Sequence, residues 1–150
     1  LEPTMTYPTS KAAASVAFSG WAIDKNVNLQ ILRIFQVFGE GEPQSRLWPS
    51  LKKSAMSGSD FPMTKGEQVR DFIYVKDVAK SFVSALEFEN ILPGNPIIQN
   101  IGTGHPQTVL EFSEYWWKKW KAKGDLLVGC KQYRNNEVMR FVPLVLSNKN

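Results

Sequence analysis

Between Asn28 and Phe38 the chain carries Leu29, Ile31, Leu32, Ile34, Phe35, Val37 and Phe38, with few polar residues among them. An apolar run without alternation leaves no face for water, so it reads as a strand buried on both sides. Gly39, Gly41 and Pro43 end it. A strand covered on both faces requires layers above and below it. In a chain of 150 residues those layers are helices packed on a sheet.

The flanking segments have the patterns to supply them. Tyr7 to Lys25 reads as a helix capped by Thr6, with Pro8 tolerated in its first turn. Ala12, Ala13, Ala14, Ala17 and Gly20 make it small-sided, open to close packing. Arg46 to Met56 reads as a second helix with Pro49 in its first turn, and Phe61 to Thr64 and Val69 to Val75 as short strands around Lys65 and Gly66. Asp77 to Phe88 is expected to be helical, with Asp77 as cap and Val78, Phe82, Ala85 and Leu86 on one face. Pro93 and Gly94 make a turn before a strand from Pro96 to Ile101. Thr108 and Glu111 have capping-box spacing and open a helix with Val109, Phe112, Trp116 and Trp120 on one face. Leu126 to Val128 reads as a last strand. The alternation predicts an α/β fold, but with fewer long strands than an open doubly wound sheet needs. Part of the sheet is therefore expected upstream. Leu1, not Met, opens the chain, which suggests a fragment or a processed product.

Several classes of function fall away. No run of about 18 apolar residues is present, so no membrane-crossing helix is expected. Cys130 is the only cysteine and His105 the only histidine, which excludes an internal disulfide and a His/Cys zinc cluster. No metal site is expected, and these features fit a cytoplasmic protein. The net charge of +4 raises the question of a nucleic-acid partner. Lys118, Lys119, Lys121 and Lys123 instead read as cations closing a helix, where the dipole favours them, and no binding motif accompanies them. Neither a nucleic-acid nor a membrane partner is expected.

Tyr7 and Lys11 are spaced i, i+4 and share a helix face. An ammonium there stabilises the phenolate, and such a tyrosine can exchange a proton with a sugar hydroxyl or carbonyl. The spacing alone is weak, because Tyr115 and Lys119 repeat it. Context adds weight. Y-P-T-S-K is followed by R-I-F-Q-V-F-G-E-G at residues 33–41, G-E-Q-V-R-D-F-I-Y-V-K-D-V-A at 66–79, N-I-G-T-G at 100–104 and Y-R-N-N-E at 133–137. In this order, from about Pro3 to Val142, the blocks resemble the extended short-chain dehydrogenases, the NAD-dependent nucleotide-sugar epimerase/dehydratase group. R-I-F-Q-V-F-G-E-G-E and R-L-W-P-S-L look most like the sugar reductases and epimerases of O-antigen synthesis, such as CDP-abequose synthase.

That resemblance implies the C-terminal part of a Rossmann-type parallel sheet, about residues 1–40, plus a small mixed α/β lobe for a nucleotide sugar, about 41–150, with the strand near 96–101 returning to the sheet. It implies Tyr7 as acid/base and Lys11 as its partner and a ligand of the nicotinamide ribose. Ile34 and Phe35 would line the nicotinamide side of an NAD or NADP pocket. Gln36 stands where the group often has a substrate-contacting Asn. Leu47 and Trp48 would border the nucleotide, Pro62 and Met63 would lie against its base, and Arg70 and Arg134 would grip its diphosphate. Guanidinium forks suit phosphate oxygens. Plainer readings exist: Arg70 paired with Asp71, Pro62 and Met63 as core filling, Glu137 paired with Arg134, a solvated His105, and N-I-G-T-G as a structural turn. The group's G-x-x-G-x-x-G loop and catalytic Ser or Thr are not found in these residues and are expected upstream of Leu1. The chain alone is thus expected to be inactive and to bind no cofactor tightly. It is expected to form a homodimer or to pair with a separate N-terminal half. The rival reading is a non-catalytic nucleotide-binding or dimerisation module.

Overall fold

A computed structural model describes residues 5–87 and 91–145. The backbone gathers into two compact units, one from Leu1–Arg33 and Lys80–Asn100, the other from Ile34–Ala79 and Ile101–Asn150.

The first unit contains helix α1, Thr6–Lys25. Thr6 is its first helical residue and not its cap; Met5 holds that position in extended conformation, with no side-chain hydrogen bond. Pro8 lacks an N–H that would have had no helical partner in the first turn. The helix ends on Asn26 at φ 51 and ψ 49, a left-handed conformation that a short polar side chain tolerates. Ser10, Ser15 and Ser19 donate back to the carbonyls of Tyr7, Lys11 and Ser15 at 2.8, 3.0 and 2.8 Å, which satisfies their hydroxyls within the helix. Ala22 is the one buried residue of α1, whereas Val16, Phe18, Trp21 and Ile23 are more than half exposed.

The apolar run does not make one strand buried on both faces. It forms β1, Gln30–Ile34, and β2, Gln36–Phe38, and none of their residues is fully buried. The break falls at Phe35, whose carbonyl accepts from Val37 N–H at 3.0 Å, a three-residue turn that redirects the ladder. The two strands belong to different ladders, each with two strands among the described residues, and an open edge remains on each. Ile34 is accordingly 42% exposed.

In the second unit, α2 spans Leu47–Ser57, with Pro49 in its first turn as expected. β3 is Phe61–Met63, β4 is Val69–Arg70 and β5 is Phe72–Tyr74, so the expected strand from Val69 to Val75 is interrupted at Asp71. β5 pairs in parallel with β2 from Gln36↔Phe72 to Phe38↔Tyr74. Helix α3, Val75–Ser84, begins two residues before the expected start, so Asp77 lies inside its first turn rather than at its cap. Its negative charge suits the positive helix end. Val78 is buried, but Phe82 and Leu86 on the expected apolar face are exposed, and Phe88 lies outside the described residues. In the first unit, β6, Ile97–Ile101, pairs with β1.

β7, Gln107–Thr108, leads directly into α4, Val109–Lys119, through a complete capping box. Glu111 N–H donates to Thr108 Oγ1 at 3.1 Å, and Thr108 N–H donates to Glu111 Oε2 at 2.7 Å. The apolar stripe of α4 then packs on α2 and β5. Trp48, Phe72 and Phe112 form a core with Phe38, Trp116 and Trp120 around it. The rings of Phe72 and Phe112 stack at 3.9 Å and 14°. Leu51, Phe61 and Met63 form an adjoining core. β3 pairs in parallel with β8, Leu126–Val128. β4 is the middle of three, antiparallel to β7 and parallel to β9, Arg140–Phe141. The chain is thus α/β with parallel ladders, the expected class.

Candidate functional site

In the second unit the site is organised around Asp71, the residue that interrupts the strand. Its side chain is fully buried. It accepts from Thr103 N–H at 2.9 Å, Thr103 Oγ1 at 2.6 Å and Gly104 N–H at 2.8 Å. The N-I-G-T-G segment is therefore a structural turn clipped to β4 and β5, not a phosphate loop. Gly102 is required there: a Cβ would lie 2.5 Å from Pro143 Cγ and 2.8 Å from Asp71 Oδ2.

With Asp71 so engaged, the neighbouring Arg70 finds other partners. One terminal nitrogen donates to Val69 O at 2.9 Å; the other donates to Val138 O at 2.6 Å and approaches Glu137 Oε1 at 3.4 Å. The Arg70 side chain is 13% exposed, and burial lowers its pKa while the Glu137 charge opposes that shift. Neither plain pairing reading holds: Glu137 pairs with Arg70 rather than Arg134, and Arg70 pairs with Glu137 rather than Asp71. Arg134 is exposed and opens a turn in which Glu137 N–H donates to its carbonyl at 3.0 Å. Among the described residues, three of the five Arg70 N–H donors face protein acceptors.

The residues expected along the nucleotide divide by strand and helix geometry. On β3 the side chains alternate, so Pro62 is exposed while Met63 is buried against Leu51 and Phe61. On α2, Leu47 is half-buried and Trp48 is a core residue, 5% exposed, with Lys52 Nζ 4.9 Å from its ring centre. Trp48 and Met63 are thus core residues, Leu47 packs against both cores and Pro62 is exposed. Gln36 and Phe35 are half-buried, and the Phe35 ring stacks on Phe141 at 4.9 Å.

In the first unit, Tyr7 and Lys11 sit together near the start of α1. Lys11 Nζ lies 5.6 Å from the Tyr7 ring centre, and Tyr7 is 71% exposed. The repeated spacing on α4 also forms a pair: Lys119 Nζ is 3.3 Å from Tyr115 Oη. Geometry within one helix does not distinguish the two.

Other features had no sequence signal beyond ordinary polar residues. Tyr74 Oη donates to Glu40 Oε2 at 2.5 Å, which lowers the Glu40 pKa and raises that of Tyr74. Burial raises the pKa of Glu42, partly offset by Arg46. Both glutamates line a cleft of about 350 Å³ beside α2, together with Trp48, Lys52, Lys53 and Met56. Tyr133 and Glu67 are joined by two hydrogen bonds. His105 is exposed, with Nδ1 2.9 Å from Thr103 O. No group of metal-ligating side chains occurs among the described residues, and no helix among them is long and apolar enough to cross a membrane.

Comparison with known proteins places these features in a lineage. The chain is 30% identical over 128 residues to UDP-glucose 4-epimerase of Corynebacterium glutamicum, covering 75% of this chain and 38% of that protein. It is 28% identical over 108 residues to CDP-abequose synthase of Salmonella muenchen, covering 72% and 36%. Among solved structures, UDP-N-acetylglucosamine 4-epimerase from Methanobrevibacter ruminantium M1, in complex with UDP-N-acetylmuramic acid, superposes with a TM-score of 0.82 at 23% identity, over 97% of this chain and 46% of that one. MoeE5 in complex with UDP-glucose and NAD gives 0.76 at 22%, over 93% and 46%. The chain thus spans less than half the length of these relatives. The profile of the NAD dependent epimerase/dehydratase family matches residues 1–102, and the chain belongs to that family.

Proposed function

We propose that this chain is the C-terminal portion of an NAD(P)-dependent nucleotide-sugar epimerase, dehydratase or reductase, with Tyr7 as its acid/base. The observation that carries this reading is the Tyr7/Lys11 pair at the exposed start of α1, inside the span matched by the family profile. An exposed phenol can meet a substrate oxygen, and the nearby ammonium stabilises the negative charge left when the phenol gives up its proton. The nicotinamide cofactor, when bound, supplies the hydride acceptor or donor. Of the residues present, Lys11 would hold its ribose, and Ile34 and Phe35 would line the apolar side of its ring. No G-x-x-G-x-x-G loop for its pyrophosphate occurs in the 150 residues.

The substrate is a nucleotide sugar, the class named for the relatives. Arg70 and Arg134 take its diphosphate. Leu47 and Pro62 border the nucleotide, backed by Trp48 and Met63, and Gln36 stands in place of an Asn contact to the sugar, with its amide one methylene farther from the backbone. The similarity to CDP-abequose synthase supports a place in O-antigen synthesis. Exposed Phe18 and Trp21 on α1 support association with a second copy or with an N-terminal half. The free, exposed Cys130 suits a reducing compartment such as the cytoplasm.

The test is reconstitution. The chain is joined to the N-terminal half of a related epimerase and assayed with NAD against UDP-glucose and CDP-sugars. Tyr7→Phe should lower kcat by about 10²- to 10⁴-fold with little change in nucleotide affinity. Equal activity in Tyr7→Phe would remove the acid/base assignment, and it would favour the non-catalytic module.

A further inference from the structure

Two segments of the second unit, 67–71 and 133–141, are fastened together at both ends of a short turn. At one end Glu67 N–H donates to Tyr133 Oη at 3.2 Å, and Tyr133 Oη donates to Glu67 Oε2 at 3.0 Å. At the other end Arg70 donates to Val138 O at 2.6 Å and approaches Glu137 Oε1 at 3.4 Å. Beyond it Val69 N–H donates to Met139 O at 2.7 Å, and β4 continues beside β9. Between these ties the turn closes through Glu137 N–H on Arg134 O at 3.0 Å. Arg134 is the first residue of that turn and is exposed.

The phenol is used twice, as acceptor and as donor, which fixes its ring against a backbone N–H and a carboxylate together. The residue immediately before Arg134 is thereby pinned. A guanidinium binds phosphate through a planar fork, so its strength as a ligand depends on the direction from which its backbone presents it. An arginine on a loose turn loses affinity to the ordering that binding then requires.

We infer that Tyr133 and Glu67 are positioning residues that hold the Arg134 turn for the β-phosphate of a nucleoside diphosphate group. This rests on the reading of Arg134 as a diphosphate ligand. The experiment titrates the purified chain with UDP and UMP, and with CDP and CMP, by calorimetry. The quantity read is the diphosphate-to-monophosphate affinity ratio. Arg134→Ala should lower the ratio, with Arg70 keeping what remains of the preference. Tyr133→Phe removes both hydrogen bonds of the phenol and should lower it by at least roughly fivefold, the factor of one ordinary hydrogen bond, with the monophosphate affinity unchanged. A merely structural loss would weaken both nucleotides together. Glu67→Gln keeps an acceptor for the phenol and should preserve the ratio, whereas Glu67→Ala should lower it.

If Arg134→Ala reduces the ratio and Tyr133→Phe does not, the positioning role is overturned while the phosphate reading stands. If Arg134→Ala leaves the ratio unchanged, the phosphate reading fails and this inference with it. Backbone order parameters for residues 134–137 test the positioning role independently of the affinities, and the role must pass both tests. They should fall from about 0.85 to below about 0.6 in Tyr133→Phe, and an equally rigid turn in that variant overturns the inference.

Discussion

Replacing Asp71 should be among the most damaging single changes in the second unit, and its cost follows from three hydrogen bonds. The carboxylate is fully buried and accepts from two backbone N–H groups and one hydroxyl, all of the 103–104 turn. In Asp71→Ala the Thr103 hydroxyl can rotate toward another acceptor, but the N–H groups of Thr103 and Gly104 cannot move without the turn. Thr103 and Gly104 lie at the surface, so water can take over part of the pairing, and the loss is that of two hydrogen bonds to a charged group, together about 3 kcal/mol. That is a large share of the ~5–15 kcal/mol that holds a domain folded. Asp71→Asn keeps the volume and the oxygen facing Thr103, but it sets an amide NH₂ against Gly104 N–H. One bond is lost and two donors are opposed, for about 2 kcal/mol. Urea unfolding followed by the near-ultraviolet dichroism of the tryptophans measures both. A cycle with Thr103→Val should show coupling, since both changes act on one bond. An Asp71→Asn protein within about 0.5 kcal/mol of the parent would show that the clip contributes little and that the turn is held by other contacts.

Three further outcomes are expected. The isolated chain should not bind NADH or NADPH with micromolar affinity in a fluorescence titration, since the backbone groups that usually receive the pyrophosphate belong to a strand-turn-helix not encoded in these residues. Thr108→Ala should cost about 1 kcal/mol by removing the cap of α4. The capping bonds also hold the Glu111 pKa below its ordinary 4.5, first through Thr108 N–H. Their contribution is therefore present above pH 4.5 and should fade as pH falls through the lowered value, a dependence lost in Glu111→Gln and readable by helical dichroism. Glu42 has the opposite sign: burial raises its pKa above the ordinary 4.5, so its charge destabilises the fold as pH rises through the raised value. Glu42→Gln should raise the urea midpoint at pH 7, and the gain should vanish below pH ~4.

The parts of the fold written in local pattern were legible in the sequence. The capping box of Thr108 and Glu111, the stripe Val109, Phe112, Trp116 and Trp120, and the proline-led start of α2 all depend on residues within a few positions of one another. The Asn28 to Phe38 run was misread because an apolar run signals burial without saying where a ladder changes partners; the turn at Phe35 has no residue that announces it. The same holds for the site. The spacing of Tyr7 and Lys11 is visible but is shared by Tyr115 and Lys119, whereas the partners of Arg70, Asp71 and Tyr133 lie some thirty to seventy positions away and are set by strand register. Polar residues at such separations carry no periodicity, so a sequence offers only a choice among neighbours, such as Asp71 for Arg70.

The three-stranded ladder around β4 has a consequence for how the chain is made. Its middle strand is translated long before β9, and the Arg70 to Val138 bond closes a loop of 68 residues. Loop closure over that span carries an entropy that rises slowly with length but comes before any reward from the contact. During synthesis at roughly 5–20 residues per second, β4 would wait several seconds with Val69 N–H and the Arg70 guanidinium unsatisfied. The helical pair α2 and α4 spans a comparable separation, but its residues are complete once Trp120 has left the ribosome, so its tryptophan-lined core can assemble first. A nascent chain stalled before Met139 should therefore show protected helices and an exchanging Val69 amide. The β4 edge would be the surface most open to chaperones and to mispairing until β9 arrives.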